Sequence, residues 1–398
     1  MRKITLNEGS PRARIRSLLV LILGLLLIQL TACGGQGNPG SSDPLRFYVG
    51  SGGNLEYSIF LCELDPVAGV FSVVDSFAGA SGSGYLDLSP DGTTLYATSR
   101  DKADGEEGHN SVTAFTVNQS DFSLTLLNSQ SSQGRGNCHV QVSPKGDYLF
   151  AANYSSGHAT ALPLEADGRV APASSVVRGE GSGPVESRQK GPHAHQVMMD
   201  PEGKFLLVPD LGTDKVMNYI LDAKSGELTP NPDQPWLSME PGSGPRHLVF
   251  HPSGEFVFIL SELNSTITAC RFNSTTGVLS IINSASIVKD DFTGAKQAAA
   301  IRIHPNGKYL YASNRDDVSS VAVLGIDEQG EINRLQVVDN VPYWPRDFNI
   351  TPDGNHLLVA GGRANEIGLY IVDPATGLLT GTETKVNLPG PICIEFIE

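Results

Sequence analysis

Basic residues are scarce in this chain: 28 Lys and Arg stand against 43 Asp and Glu, a formal charge of −15. Arg2, Lys3, Arg12, Arg14 and Arg16 all fall in the first 32 positions, with Glu8, so the body that follows stands at −19. A body of that charge repels phosphate backbones, which excludes nucleic acid as the expected partner. Cysteine is sparse too. Cys62, Cys138, Cys270 and Cys393 are spread through the body with no CxxC spacing, which excludes a zinc knuckle. Each sits in an apolar run and is expected as a buried free thiol. Amphipathic helical periodicity is missing throughout, and no apolar run is long enough to be a comfortable membrane span.

The longest apolar run, residues 18–30, follows the basic head and ends in Leu30-Thr31-Ala32-Cys33. That order resembles a bacterial lipoprotein signal, in which cleavage precedes a cysteine that is then diacylated. Residues 1–32 are therefore expected to be a signal peptide. Cys33 is expected to carry lipid, and residues 34–43 (GGQGNPGSSD) to be a flexible tether, since Gly, Ser and Asn bury too little to fold. An exported protein held at a membrane surface is the expectation.

One phrase recurs along the body. It reads YLDLSPDGTTLYATSR from Tyr85, HVQVSPKGDYLFAANY from His139 and HQVMMDPEGKFLLVPDL from His195. It returns as HLVFHPSGEFVFILSEL from His247, IRIHPNGKYLYASNR from Ile301 and DFNITPDGNHLLVAGG from Asp347. The central prolines, Pro90, Pro144, Pro201, Pro252, Pro305 and Pro352, lie 54, 57, 51, 53 and 47 residues apart. Two apolar runs around a Pro-x-Gly turn make a hairpin, because Pro presets φ and Gly accepts φ > 0. Two weaker strand signals follow each hairpin. Four-stranded units at this period are the blades of a β-propeller. The N-terminal part offers three strands lacking a first, and residues 391–397 (PICIEFI) a first strand lacking partners. Together they predict a seventh blade that closes the ring. Residues 44–398 are thus read as one all-β, seven-bladed β-propeller.

The start of a blade's first strand and the end of its second share one face of such a ring. Six residues before each turn proline stand Gly84, Cys138, His195, Arg246, Ala299 and Arg346. Nine and ten after it stand Ser99-Arg100, Asn153-Tyr154, Asp210-Leu211, Ser261-Glu262, Asn314-Arg315 and Gly361-Gly362. For any one of them, a wet strand end is the plain reading. As a set they gather His195, Asp210, Arg246, Glu262, Arg315 and Arg346 from consecutive blades, an anion site with an acid–base group nearby. His193 and His195 alternate on one strand and could be read as metal ligands, but arginines next to them would repel a cation; no metal or other cofactor is expected. His139 and His247 are expected to point elsewhere, and His251 and His304 to be surface turn residues. Residues 178–192, long, polar and Gly-rich, are expected to enter the mouth and could act as a lid.

RQKGPHAHQV, DLGTDKV, GPRHLVFHPSG, SELNS, LYASNR and PRDFNITPDG resemble the lactonase family of seven-bladed propellers, which includes the propeller-type 6-phosphogluconolactonase and is related to fungal carboxymuconate cyclase. The resemblance runs from Leu45 to the C-terminus. It implies a metal-free site of one His, several Arg and one Glu, matched here by His193 or His195, Arg246, Glu262 and Arg315. Arg346, Asn153 and Asp210 join as neighbours from the ring positions. The signal and lipobox depart from an enzyme of cytoplasmic sugar phosphates. The expected activity is water attack on a small anionic lactone, with His195 and Glu262 removing the proton and Arg246 and Arg315 holding the developing charge. A surface-anchored propeller that only binds a partner or glycan, and a lyase or cycloisomerase using the same residues, are the alternatives. A monomer is expected.

Overall fold

A computed structural model describes residues 44–397 apart from 54, 66–67, 103–108 and 316–317. The expected signal peptide, Cys33 and the tether lie outside the described residues. The described residues form seven antiparallel sheets, with no helix among them. Counted from the first complete phrase, blades 1 to 6 span residues 86–131, 137–178, 198–238, 245–286, 298–339 and 345–387. The closing blade joins Pro391–Phe396 to Leu45–Ser51, Tyr57–Asp65 and Val70–Ala78. Leu45–Ser51 pairs with Tyr57–Asp65 on one side and with Pro391–Phe396 on the other, so the two ends of the body meet inside one sheet.

The apolar runs follow from where each strand lies. Second strands such as Tyr148–Asn153, Phe205–Asp210 and Phe256–Ser261 are buried at every position, because both faces of the blade are covered by neighbours. Outermost strands such as Leu379–Asn387 alternate towards solvent. Apolar clusters fill the gaps between successive blades, one for each of the seven interfaces of the ring. The turn glycines Gly92, Gly146, Gly203, Gly254, Gly307 and Gly354 all have φ between +67° and +76°, which a side chain would strain. His251 and His304 do more than decorate these turns. Their Nε2 atoms donate to Gly307 O and Gly354 O of the next blade's turn, both at 3.0 Å, and His304 is buried.

Blade 3 departs from the regular pattern. Its outer strand is broken into Leu228–Pro230 and Trp236–Ser238, both paired with Lys215–Leu221. Pro230, Pro232 and Pro235 explain the break, since proline cannot donate to a ladder. Its inner strand is short as well, only Met198–Met199, so His195 lies ahead of the strand. The four body cysteines are free thiols, and Cys62 and Cys393 pack into clusters in different gaps.

Candidate active site

The inner strands share a defect at the ring position. In blade 2, Asn137 and His139 oppose Asn153 and Ala152, leaving Cys138 as an extra residue in a bulge. Arg246 occupies the bulge of blade 4, Arg346 that of blade 6 and Ile392 that of the closing blade. His195 lies where the register slips between the Ala194–Asp210 bridge and the Met198–Leu207 pair. A bulge breaks the in–out alternation and re-aims one side chain. Here it turns Cys138, His195 and Arg346 towards one cavity of about 470 Å³, whose wall Glu262 and Arg315 also line.

Alternation also separates the paired positions at the end of the second strand. The tenth residue after the proline faces the cavity in four blades, as Arg100, Tyr154, Glu262 and Arg315. The ninth turns into the fold and fastens loops. Asn153 is fully buried, its Nδ2 donating to Ser132 O at 2.9 Å and its Oδ1 accepting from Ser132 Oγ at 2.7 Å. Asp210 accepts from the His193 and Gly212 amides at 2.7 and 2.9 Å. Asn314 Oδ1 accepts from the Gln297 amide at 3.0 Å. Asn153 and Asp210, placed by sequence among the substrate-binding residues, are therefore loop fasteners outside the cavity wall. The neighbour of Asn153, Tyr154, is the one that reaches the cavity.

The two histidines of the PHAH stretch part company for the same reason. His193 lies flat against Tyr154, with ring centroids 4.5 Å apart, and its Nδ1 donates to Tyr154 O at 2.9 Å. It buttresses the wall from behind. His195 lines the cavity, edge-on to Tyr154 at 5.3 Å, with Cys138 Sγ 4.0 Å from its Nδ1. Burial, and then the guanidiniums of Arg246, Arg346 and Arg315, push its pKa well below the usual imidazole value. The imidazole is neutral at neutral pH. His139 and His247, expected to point elsewhere, are buried and absent from the cavity wall: His247 lies 5.3 Å from His195 and 5.6 Å from His139, whose ring is 3.9 Å from that of Tyr85.

Glu262 is the hub. Its Oε1 accepts from Arg188 Nη2 at 2.6 Å, while its Oε2 lies 2.9 Å from Arg315 Nη2 and 3.0 Å from Arg246 Nε. Burial alone would raise its pKa, but Arg315, Arg246 and Arg188 together hold it at about 2. It is a fixed anion with no proton to exchange near neutrality. Arg246 is 1% exposed and absent from the cavity wall; its Nη1 donates to Ala299 O, so it serves Glu262 and the floor. Cys138, beside His195, is kept protonated, burial pushing its thiol up to about 11.

Arg188 is the residue that the sequence reading passed over, although it opens the RQKGPHAH stretch. It is delivered by the 178–192 segment, which is pinned beside it. Gln189 is fully buried, its Nε2 donating to Leu211 O at 2.9 Å and Asp214 Oδ1 at 2.7 Å. Its Oε1 accepts from the Val185 amide at 3.0 Å. The segment is a fastened part of the wall. Among the described residues, Arg100, Arg188, Arg315 and Arg346 line the cavity against the one carboxylate of Glu262, a local surplus of positive charge in an acidic protein. An arginine-rich, half-enclosed cavity beside a neutral imidazole is suited to an anionic substrate that gains negative charge as it reacts.

Comparison with known proteins identifies the family and the fold. The family model described as "Lactonase, 7-bladed beta-propeller" matches residues 46–396. The chain belongs to the seven-bladed β-propeller lactonase family. It is 33% identical over 340 residues to the 6-phosphogluconolactonase of Bacillus subtilis, a match covering 85% of this chain and 94% of that protein. It is 29% identical over 334 residues to the 6-phosphogluconolactonase of Formosa agariphila, covering 83% and 91%. Among solved structures, the periplasmic gluconolactonase of Pseudomonas aeruginosa superposes with a TM-score of 0.82 at 26% identity, covering 89% of this chain and 99% of that one. The lactonase family resemblance drawn from RQKGPHAHQV and its companions is thereby borne out, as is the closed seven-bladed ring.

Proposed function

We propose that this lactonase-family protein hydrolyses a sugar-acid δ-lactone, in the manner of a 6-phosphogluconolactonase, outside the cytoplasm and tethered by lipid at Cys33. The observation that carries the reaction is one neutral imidazole, His195, sharing a cavity with Arg315 and Arg346 while Glu262 is locked to three guanidiniums. Water attacks the lactone carbonyl and gives its proton to His195. Arg315 and Arg346 stabilise the oxyanion of the tetrahedral intermediate. Collapse breaks the ring C–O bond, and the imidazolium returns its proton to the leaving ring oxygen. The product is an open hydroxy acid, whose carboxyl proton passes to solvent.

Glu262, held at about 2, is a poor base. Its role in this scheme is to fix Arg188, Arg246 and Arg315 in place, with Arg246 acting through it. The low pKa of His195 makes it a weak base, yet a fully available one; modest general-base help, typically ~10²–10⁴-fold, suffices for an activated ester. A gluconolactonase working in the periplasm of Pseudomonas aeruginosa supports a non-cytoplasmic lactone as substrate.

The test is ring-opening of glucono-δ-lactone and its 6-phosphate by wild type, His195→Gln and Arg315→Ala. Loss of about 10²-fold or more in kcat/KM is expected for each variant. The wild-type acid limb should fall well below pH 6.5, because His195 stays unprotonated there. Equal rates in all three proteins would remove the reading. The binding-module alternative predicts no catalysis by wild type at all.

A further inference from the structure

Blade 6 breaks the ring pattern. Where other blades put Arg100, Tyr154, Glu262 and Arg315 into the cavity, it has Gly362. The vacated space is taken by an indole. A Cβ on Gly362 would lie 3.2 Å from Trp344 Cε3 and 2.8 Å from Ile392 Cγ2, so the glycine is what lets the indole pack this close to the end of the second strand. Trp344 itself has φ of 66°, a left-handed conformation that a bulky residue adopts at an energetic cost. Two bonds hold it there. Its amide donates to Ser319 Oγ at 3.0 Å, and its carbonyl accepts from the Gly362 amide at 3.1 Å.

The strained residue collects arginines. The guanidinium carbons of Arg363, Arg315 and Arg346 lie 4.6, 5.1 and 5.7 Å from the Trp344 ring centroid. Arg315 is neutralised by Glu262 at 2.9 Å. Arg346 and Arg363 have no ion pair among the described residues, and Arg363 is exposed. Guanidiniums brought to one ring repel each other, and cation–π attraction offsets only part of that repulsion. An anion between or beside them would complete the balance. Arg346 also lines the reaction cavity, so this cluster is continuous with it.

We infer that Trp344 and Arg363, beside Arg346 of the reaction cavity, form a distal anion subsite, which takes the phosphate or carboxylate that a lactone substrate carries away from its reacting carbonyl. The inference rests on the lactonase reading for the identity of the ligand, and on the blade 6 geometry for its place. Trp344 positions the two guanidiniums by stacking, and Arg363 reads the charge. A bidentate guanidinium contact is the geometry that both oxyanions accept.

The experiment compares wild type, Arg363→Gln and Trp344→Leu on three substrates: glucono-δ-lactone, its 6-phosphate, and glucaric acid δ-lactone, which carries a far carboxylate. Thermal unfolding checks that each variant is folded. Arg363→Gln should raise KM for the charged lactones about tenfold relative to the neutral one, with kcat retained. A larger rise for the phosphate than for the carboxylate assigns the subsite to phosphate, and the reverse assigns it to carboxylate. An unchanged ratio of KM values between charged and neutral lactones in both variants overturns the subsite. If wild type opens none of the lactones, the lactonase reading fails, and the subsite is then read alone by titrating 6-phosphogluconate and inorganic phosphate. Weaker binding in both variants upholds it; equal binding, or none to wild type, overturns it.

Discussion

At the scale of single residues, the site is governed by charge held where water cannot screen it. Glu262 is 3% exposed and has three guanidiniums around it. Its folded pKa, about 2, lies below the ordinary 4.5. A depressed carboxylate stabilises the fold fully above its unfolded pKa, and that contribution is lost as pH falls through the folded value. Stability should therefore decline between about pH 5 and pH 2, and Glu262→Gln should flatten that decline. The variant leaves Arg246 buried beside a neutral amide, so a loss of about 3–5 kcal/mol at pH 7 is expected. Urea unfolding of both proteins across that pH range checks it, and a parallel pH dependence would contradict the assignment. Arg188 shows what sequence alone can miss. It was in plain view in the RQKGPHAH stretch, but only the pinning of Gln189 directs it to Glu262.

At the scale of the strand, alternation and its interruption decide which neighbour faces the substrate. The ninth and tenth positions after each turn proline were both legible as mouth residues. Period 2 then sends Asn153 into the fold and Tyr154 to the cavity. The bulge at the ring position works the other way, turning His195 and Arg346 inwards without a sequence signature of its own. Asn153→Ala should accordingly be a stability variant: removing its bonds to Ser132 leaves buried groups unpaired, at about 1–3 kcal/mol. A lowered Tm is expected, with KM for lactone little changed. A raised KM at unchanged Tm would restore Asn153 to the binding residues.

At the scale of the whole molecule, ring closure makes distant residues neighbours. Arg188 and Glu262 are 74 positions apart in the chain and form a 2.6 Å ion pair. Pro391–Phe396 lies against Leu45–Ser51 and takes the innermost place in the closing sheet, as the first strand does in the other blades. The expected anchor, Cys33, precedes the ring in the sequence, with residues 34–43 expected as a tether. Cys33→Ala should abolish incorporation of labelled palmitate and release the protein from the membrane fraction, with lactone opening by the soluble form intact; a wild type that takes up no label would sink the anchor.

The sequence by itself determined the repeat, the turns, the seventh blade shared between the two ends, and the family. These are encoded locally, in apolar periodicity and in Pro-x-Gly turns that any hairpin of that composition must obey. Only the tertiary structure decided which of two adjacent residues faces the cavity, why Glu262 is a fixed anion, and why blade 6 gives up a side chain to admit Trp344. Those outcomes depend on bulges, burial and the fields of charges from other blades, which exist only once the ring has closed.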